Sequence, residues 1–97
     1  MTKMILKLYI IGHGSISKRA IKNLNAICAL PELEGLCDIE VIDLCKHHDL
    51  AEKEKILATP VLIKKEPMPQ RRIIGDLSNY QKVLEILEEP VSKFYDK

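Results

Sequence analysis

The stretch Ile5-Leu6-Lys7-Leu8-Tyr9-Ile10-Ile11-Gly12-His13-Gly14-Ser15 decides how this chain is built. A nearly continuous apolar run with β-branched residues stops at a glycine, which predicts a central strand buried on both faces. A glycine-containing loop follows, and then a helix. Ala20, Ile21, Leu24, Ile27 and Cys28 recur at three- and four-residue steps and form its apolar face. Ser15 or Ser17 is expected to cap its start, and Pro31 and Gly35 bracket its exit. Cys37 to Leu44 reads as a second strand, in which Asp38 and Glu40 alternate with Ile39 and Val41, so one face is partly wet. Two strands joined by a helix make a parallel βαβ unit.

Beyond this unit the local signals are shorter. Asp49-Leu50-Ala51-Glu52 has the spacing of a capping box and predicts a brief second helix, stopped at Ala58-Thr59-Pro60. Val61-Leu62-Ile63-Lys64 reads as a third strand and Arg71-Arg72-Ile73-Ile74-Gly75 as a fourth, turned by Pro67-Met68-Pro69 into an antiparallel pair. A last helix starts after Ser78 or Asn79, with Tyr80, Val83, Leu84 and Leu87 on one face. Ile56-Leu57, Val61–Ile63 and Ile73-Ile74 are runs that periodicity alone does not assign to helix or strand. The resulting order, βαβαββα, is an α/β, thioredoxin-like layout with a proline opening the third strand. By analogy with that fold, Thr59-Pro60 is expected to be cis.

The 97 residues make one domain, 1–97, large enough to build its own core. Fifteen basic and fourteen acidic side chains leave a formal charge of +1, against a nucleic-acid binder driven by bulk electrostatics. With no Trp and one Phe, stacking platforms for single strands are scarce. No apolar run approaches a membrane span and the start lacks a signal-peptide pattern, so a cytoplasmic protein without a membrane partner is expected. The charge is uneven: net 0 over 1–45, +3 over 46–75 and −2 over 76–97. A basic middle and an acidic tail suit self-association or a charged partner.

Three cysteines at wide spacings point to reduced thiols rather than a disulfide framework. A thioredoxin-type enzyme needs its thiolate in the loop after the first strand, at a helix N-terminus. That loop, Gly12-His13-Gly14-Ser15-Ile16-Ser17, contains none. Cys37 and Cys45 lie roughly 26 Å apart along an extended strand, against the ~7 Å between Cα atoms that a disulfide tolerates. Cys28 sits on the apolar helix face as a small core residue. Cys45, His47, His48 and Asp49 hold corners of a zinc site without the rest, so neither a metal nor a cofactor is expected, nor catalytic residues. Two basic groups are candidates for binding a partner. Lys18, Arg19 and Lys22 crowd the start of the first helix against its dipole. Lys64, Lys65, Arg71 and Arg72 are expected to gather at one end of the hairpin, as a binding patch or an edge guard.

Lys55-Ile56-Leu57-Ala58-Thr59-Pro60-Val61-Leu62, followed by Arg71-Arg72-Ile73-Ile74-Gly75-Asp76-Leu77-Ser78, closely resembles the KaiB family of circadian-clock proteins. Leu6-Lys7-Leu8-Tyr9, Glu40-Val41-Ile42-Asp43-Leu44, Leu50-Ala51-Glu52 and Lys82-Val83-Leu84 extend the likeness over most of the chain. The resemblance implies a non-enzymatic regulator that binds KaiC, a ring-shaped ATPase and autokinase, and in some systems a KaiA-like protein or histidine kinases. It also implies two folds: a thioredoxin-like monomer and a βαββααβ ground state that forms a tetramer, with a dimer as the lesser assembly. Residues 1–45 would be common to both, 46–90 would rearrange, and 91–97 would form a tail. Pro60, Pro67, Pro69 and Gly75 would act as hinges and register stops, and Gly75-Asp76 would control the switch. Gly75 would need an angle only glycine adopts easily, and Asp76 would cap the last helix in one form and pair with a basic group in the other. Gly75→Ala with Asp76→Arg would favour the thioredoxin-like form. Two departures from the family pattern, His48 where proline is common and Met68 in the middle of the proline-rich turn, fall at or near the rearranging region. A thioredoxin-like thiol or redox protein is the alternative function.

Overall fold

The computed structural model describes residues 3–88, so the expected 91–97 tail lies outside the described residues. The chain runs β1 (Met4–Ile10), α1 (Ser15–Cys28), β2 (Cys37–Asp43), α2 (His48–Lys53), β3 (Val61–Glu66), β4 (Arg71–Ile74) and α3 (Tyr80–Leu87). One four-stranded sheet holds them in the order β2-β1-β3-β4, with β1 parallel to β2 and antiparallel to β3, and β3 antiparallel to β4. The expected order βαβαββα is therefore the observed one.

The central position of β1 follows from its composition. Leu6, Leu8 and Ile10 point to one side, into a core shared with Ala20, Leu24 and Ile27 of α1, Leu62 of β3, and Val83 and Leu87 of α3. Tyr9 points to the other side, where Ile42, Leu44, Val61 and Ile63 form a second, smaller cluster under α2. Each fully buried leucine or isoleucine here is worth about 1.5–3 kcal/mol of transfer free energy. The peptide bonds Thr59-Pro60, Glu66-Pro67 and Met68-Pro69 are cis.

Several expected ends move. Gly14, in extended conformation, is the N-cap of α1, and neither Ser15 nor Ser17 caps it. Ser15 already lies within the helix, and the Ser17 hydroxyl donates back to the Ile11 carbonyl at 3.3 Å. Asp49 likewise falls inside the first turn of α2 rather than at its cap, where its charge suits the helix dipole. That helix ends earlier than Ala58-Thr59-Pro60, because Lys55 takes a left-handed φ of 55°. Arg72 secures this end, donating to the Glu54 carbonyl at 2.6 Å and the Lys55 carbonyl at 3.2 Å. Asn79 caps α3, its side chain accepting from the Lys82 amide.

Candidate functional site

The C-terminal ends of β1, β2 and β4 and the start of β3 lie at the same edge of the sheet, so four loops meet there. Asp43 ties two of them together. Its Oδ1 accepts from the Gly12 amide at 3.1 Å and the Cys45 amide at 2.9 Å, while Oδ2 lies 3.6 Å from His13 Nε2. Those two amides hold the Asp43 carboxyl below the usual aspartate range. The other two loops are joined by the backbone, the Gly75 amide donating to the Pro60 carbonyl at 2.9 Å.

Between the Asp43-tied loops and α2 opens an apolar groove of about 640 Å³, lined by Ile11, Leu44, Ala51, Ile56, Leu57 and Thr59 among others. Its rim is exposed to a degree that folding does not explain: Leu57 is 97% accessible, Ile11 56% and nearby Ile16 55%. None of the three was among the residues the sequence marked as candidates. The available signal was Leu57, an apolar residue just before a turn with no periodic partner.

The sequence-predicted basic groups fare differently. Lys18 and Lys22 are exposed on α1. Arg19 reaches across the fold instead, its Nη1 3.2 Å from Asp76 Oδ2. The four hairpin cations do not form one patch. Lys64 pairs with Arg71 and Ile63 with Arg72, so Lys64 and Arg71 occupy the α1 side of the sheet and Lys65 and Arg72 the α2 side. Lys64 is only 2% accessible and its ammonium donates to the Pro67 carbonyl at 2.8 Å, which removes it as a partner contact. Lys65 is paired with Glu54 at 2.6 Å, and this bond holds the Glu54 carboxyl down. Cys45 and His48 face the groove rather than joining His47 and Asp49 in a ligand set.

Gly75 and Asp76 sit where β4 gives way to α3. Gly75 has φ +116°, a region that side-chain-bearing residues rarely enter. Asp76 does not cap α3. It accepts from the Ser78 amide at 3.1 Å and pairs with Arg19, and both contacts lower its pKa. Its backbone carbonyl accepts from Asn23 Nδ2 at 2.8 Å, and Asn23 Oδ1 in turn accepts from the Tyr80 hydroxyl at 3.0 Å. Gly75 and Asp76 both fit this form, and the balance that Gly75→Ala with Asp76→Arg would shift depends equally on their places in the second form.

Asp43, Glu54 and Asp76 all have folded pKa values below their ordinary 3.8, 4.5 and 3.8. Depressed carboxylates stabilise the fold above their unfolded pKa, and that contribution is lost as pH falls through the folded values. Thermal unfolding should be insensitive to these groups from pH 8 to 5 and drop below about pH 4.5. Asp76→Asn should flatten the drop, and an unaltered acid limb would show that Asp76 is not among its causes.

Residues 7–89 match the KaiB domain model. The chain belongs to the KaiB family. It is 54% identical over 80 residues to the circadian clock oscillator protein KaiB of Thermosynechococcus vestitus, covering 82% of this chain and 73% of that one. Against KaiB of Synechococcus elongatus the identity is 52%, covering 82% and 78%, and against Synechocystis KaiB3 it is 45% over 84 residues, covering 87% and 81%. In overall fold this KaiB-family chain is similar to the N-terminal domain of Synechococcus elongatus SasA, at a TM-score of 0.70 and 20% identity over 94% of this chain and 90% of that one. Chloroplastic thioredoxin z gives a TM-score of 0.71 at 18% identity, covering 88% and 75%. At these identities the two structures establish the thioredoxin-like fold alone.

Proposed function

We propose that this chain is a non-enzymatic KaiB-like regulator that binds a KaiC-type hexameric ATPase and autokinase, in rhythmic or stress-adaptive signalling. What carries the reading is the likeness to circadian-clock KaiB proteins over about four-fifths of the chain. The exposed groove rim of Ile11 and Leu57, with Ile16 exposed nearby, supports it, since apolar surface of this kind marks protein contacts. Lys18 and Lys22, exposed on α1, supply charge that steers an acidic partner surface.

The switch belongs to the same proposal. A resting βαββααβ tetramer, with the second half rearranged, would be favoured by concentration through mass action. A scarce thioredoxin-like monomer would then bind slowly and with an apparent affinity reduced by its population. A KaiA-like protein or a histidine kinase is a further partner in this scheme, and the cytoplasm its location. Among the described residues no helix is long and apolar enough to cross a membrane.

The thiol-enzyme alternative has less support, because Gly14 occupies the N-cap of α1 and the loop before it holds no thiol. Mixing the purified chain with the KaiC-type ATPase should retain the ATPase on an affinity-tagged chain, while insulin reduction should stay at the rate of a triple Cys→Ser variant. Cysteine-dependent insulin reduction without retention of the ATPase would favour the alternative.

A further inference from the structure

Two of the three cysteines are placed together by the fold although the sequence separates them by eight intervening residues. In the βαβ unit α1 runs back along the sheet, so its last residue, Cys28, ends at the edge where β2 begins with Cys37. Both side chains pack on the same core cluster, on the side of the sheet that α1 covers, and both are half-buried. The Cys37 thiol also lies 3.9 Å from the Leu33 carbonyl, within the connecting segment. Burial, with the Cys37 thiol as a neighbour, pushes the Cys28 thiol up. Cys45 is exposed at the far end of β2 and takes no part.

We propose that Cys28 and Cys37 form a reversible oxidation site, a dithiol that a low-molecular-weight disulfide of the glutathione type converts to an intramolecular bridge tying the end of α1 to the edge strand β2. Cys37, at the strand edge, attacks the small disulfide first. A sulfur–sulfur bond forms between Cys37 and one half of the oxidant, and the other half leaves as a thiol carrying one proton. The deprotonated Cys28 sulfur then attacks the Cys37 sulfur and releases the second half. Two electrons and two protons pass from the protein to the oxidant, leaving one protein disulfide and two small thiols. The raised Cys28 pKa makes the second step slow near neutral pH and faster in alkali, because the thiolate is the attacking species. This is a regulatory modification, distinct from turnover by a thiol enzyme, and it is independent of the partner proposed above.

The test is oxidation of the full chain with oxidised glutathione, followed by alkylation, intact mass and peptide mapping. Under reducing conditions three thiols should be alkylated, and after oxidation Cys28 and Cys37 should be protected in a linked peptide, with Cys45 alkylated or carrying a glutathione adduct. Closing so short a loop should raise the melting temperature by at least ~5 °C, reversed by dithiothreitol. Cys28→Ser should stop at a glutathione adduct on Cys37 and Cys45→Ser should behave like the wild type. Three alkylatable thiols after oxidation, bridging through Cys45, or a melting temperature that does not rise would each overturn the proposal, and the wild-type mapping decides it even should a variant fail to fold.

Discussion

Replacing Gly75 by alanine should lower the stability of this fold by about 1–3 kcal/mol, the cost of holding a side-chain-bearing residue in a sparsely populated backbone region. The φ of +116° is the whole cause, because a Cβ at this position would meet nothing within 4 Å. Asp76→Arg compounds the loss by a different route. It removes the acceptor of the Ser78 amide and sets a second guanidinium beside Arg19, which now lies 3.2 Å from the carboxylate. The double variant therefore costs this form stability, while the direction in which a two-fold population moves is set by that cost relative to the cost in the second fold. Urea unfolding followed by far-ultraviolet circular dichroism measures the first effect. Amide spectra of the double variant measure the second, where Asn23 and Tyr80 should report loss of the contacts that converge on Asp76. A midpoint and spectrum matching the wild type would show that the β4–α3 corner does not hold the fold.

The second large effect concerns the groove. Ile11→Glu with Leu57→Glu should weaken binding to the KaiC-type ATPase by at least ~30-fold, since truncating an anchor in a desolvated contact costs about 2 kcal/mol or more. Folding should be nearly untouched, because both side chains already face solvent. That contrast is the informative part: a Gly75 variant should alter stability, and the groove variant should alter affinity at constant melting temperature. Full affinity in the groove variant would move the contact elsewhere, with the exposed Lys18 and Lys22 as the next surface to change.

The first half of the fold was legible because each of its signals is long. The apolar run of β1 and the periodic face of α1 leave one arrangement that buries both, and β2 follows from the βαβ rule. Boundaries in the second half depended on contacts that no local pattern contains. The end of α2 is set by Lys55 and by Arg72, whose guanidinium arrives from β4 seventeen residues later. Lys64 looked like a surface charge by type, yet its place in β3, paired with Leu6 of the central strand, buries it. The hairpin cations lie at one end of the paired strands as expected, but alternation along a strand sends neighbours to opposite faces, so they do not share one patch. The groove was invisible for a related reason: Ile11, Leu44 and Leu57 come from three separate segments and meet only at the loop edge. What was legible without any geometry was the family, from the stretches 55–62 and 71–78 at their particular separation.

The most direct measurement is an equilibrium titration of the amino-terminally labelled chain with the purified KaiC-type ATPase, read by fluorescence anisotropy. The account predicts saturable binding, with an apparent affinity reduced when the chain is pre-concentrated and weakened by Ile11→Glu with Leu57→Glu. No saturation by the assembled ATPase ring, from a chain whose fold is verified by its amide spectrum, would contradict it.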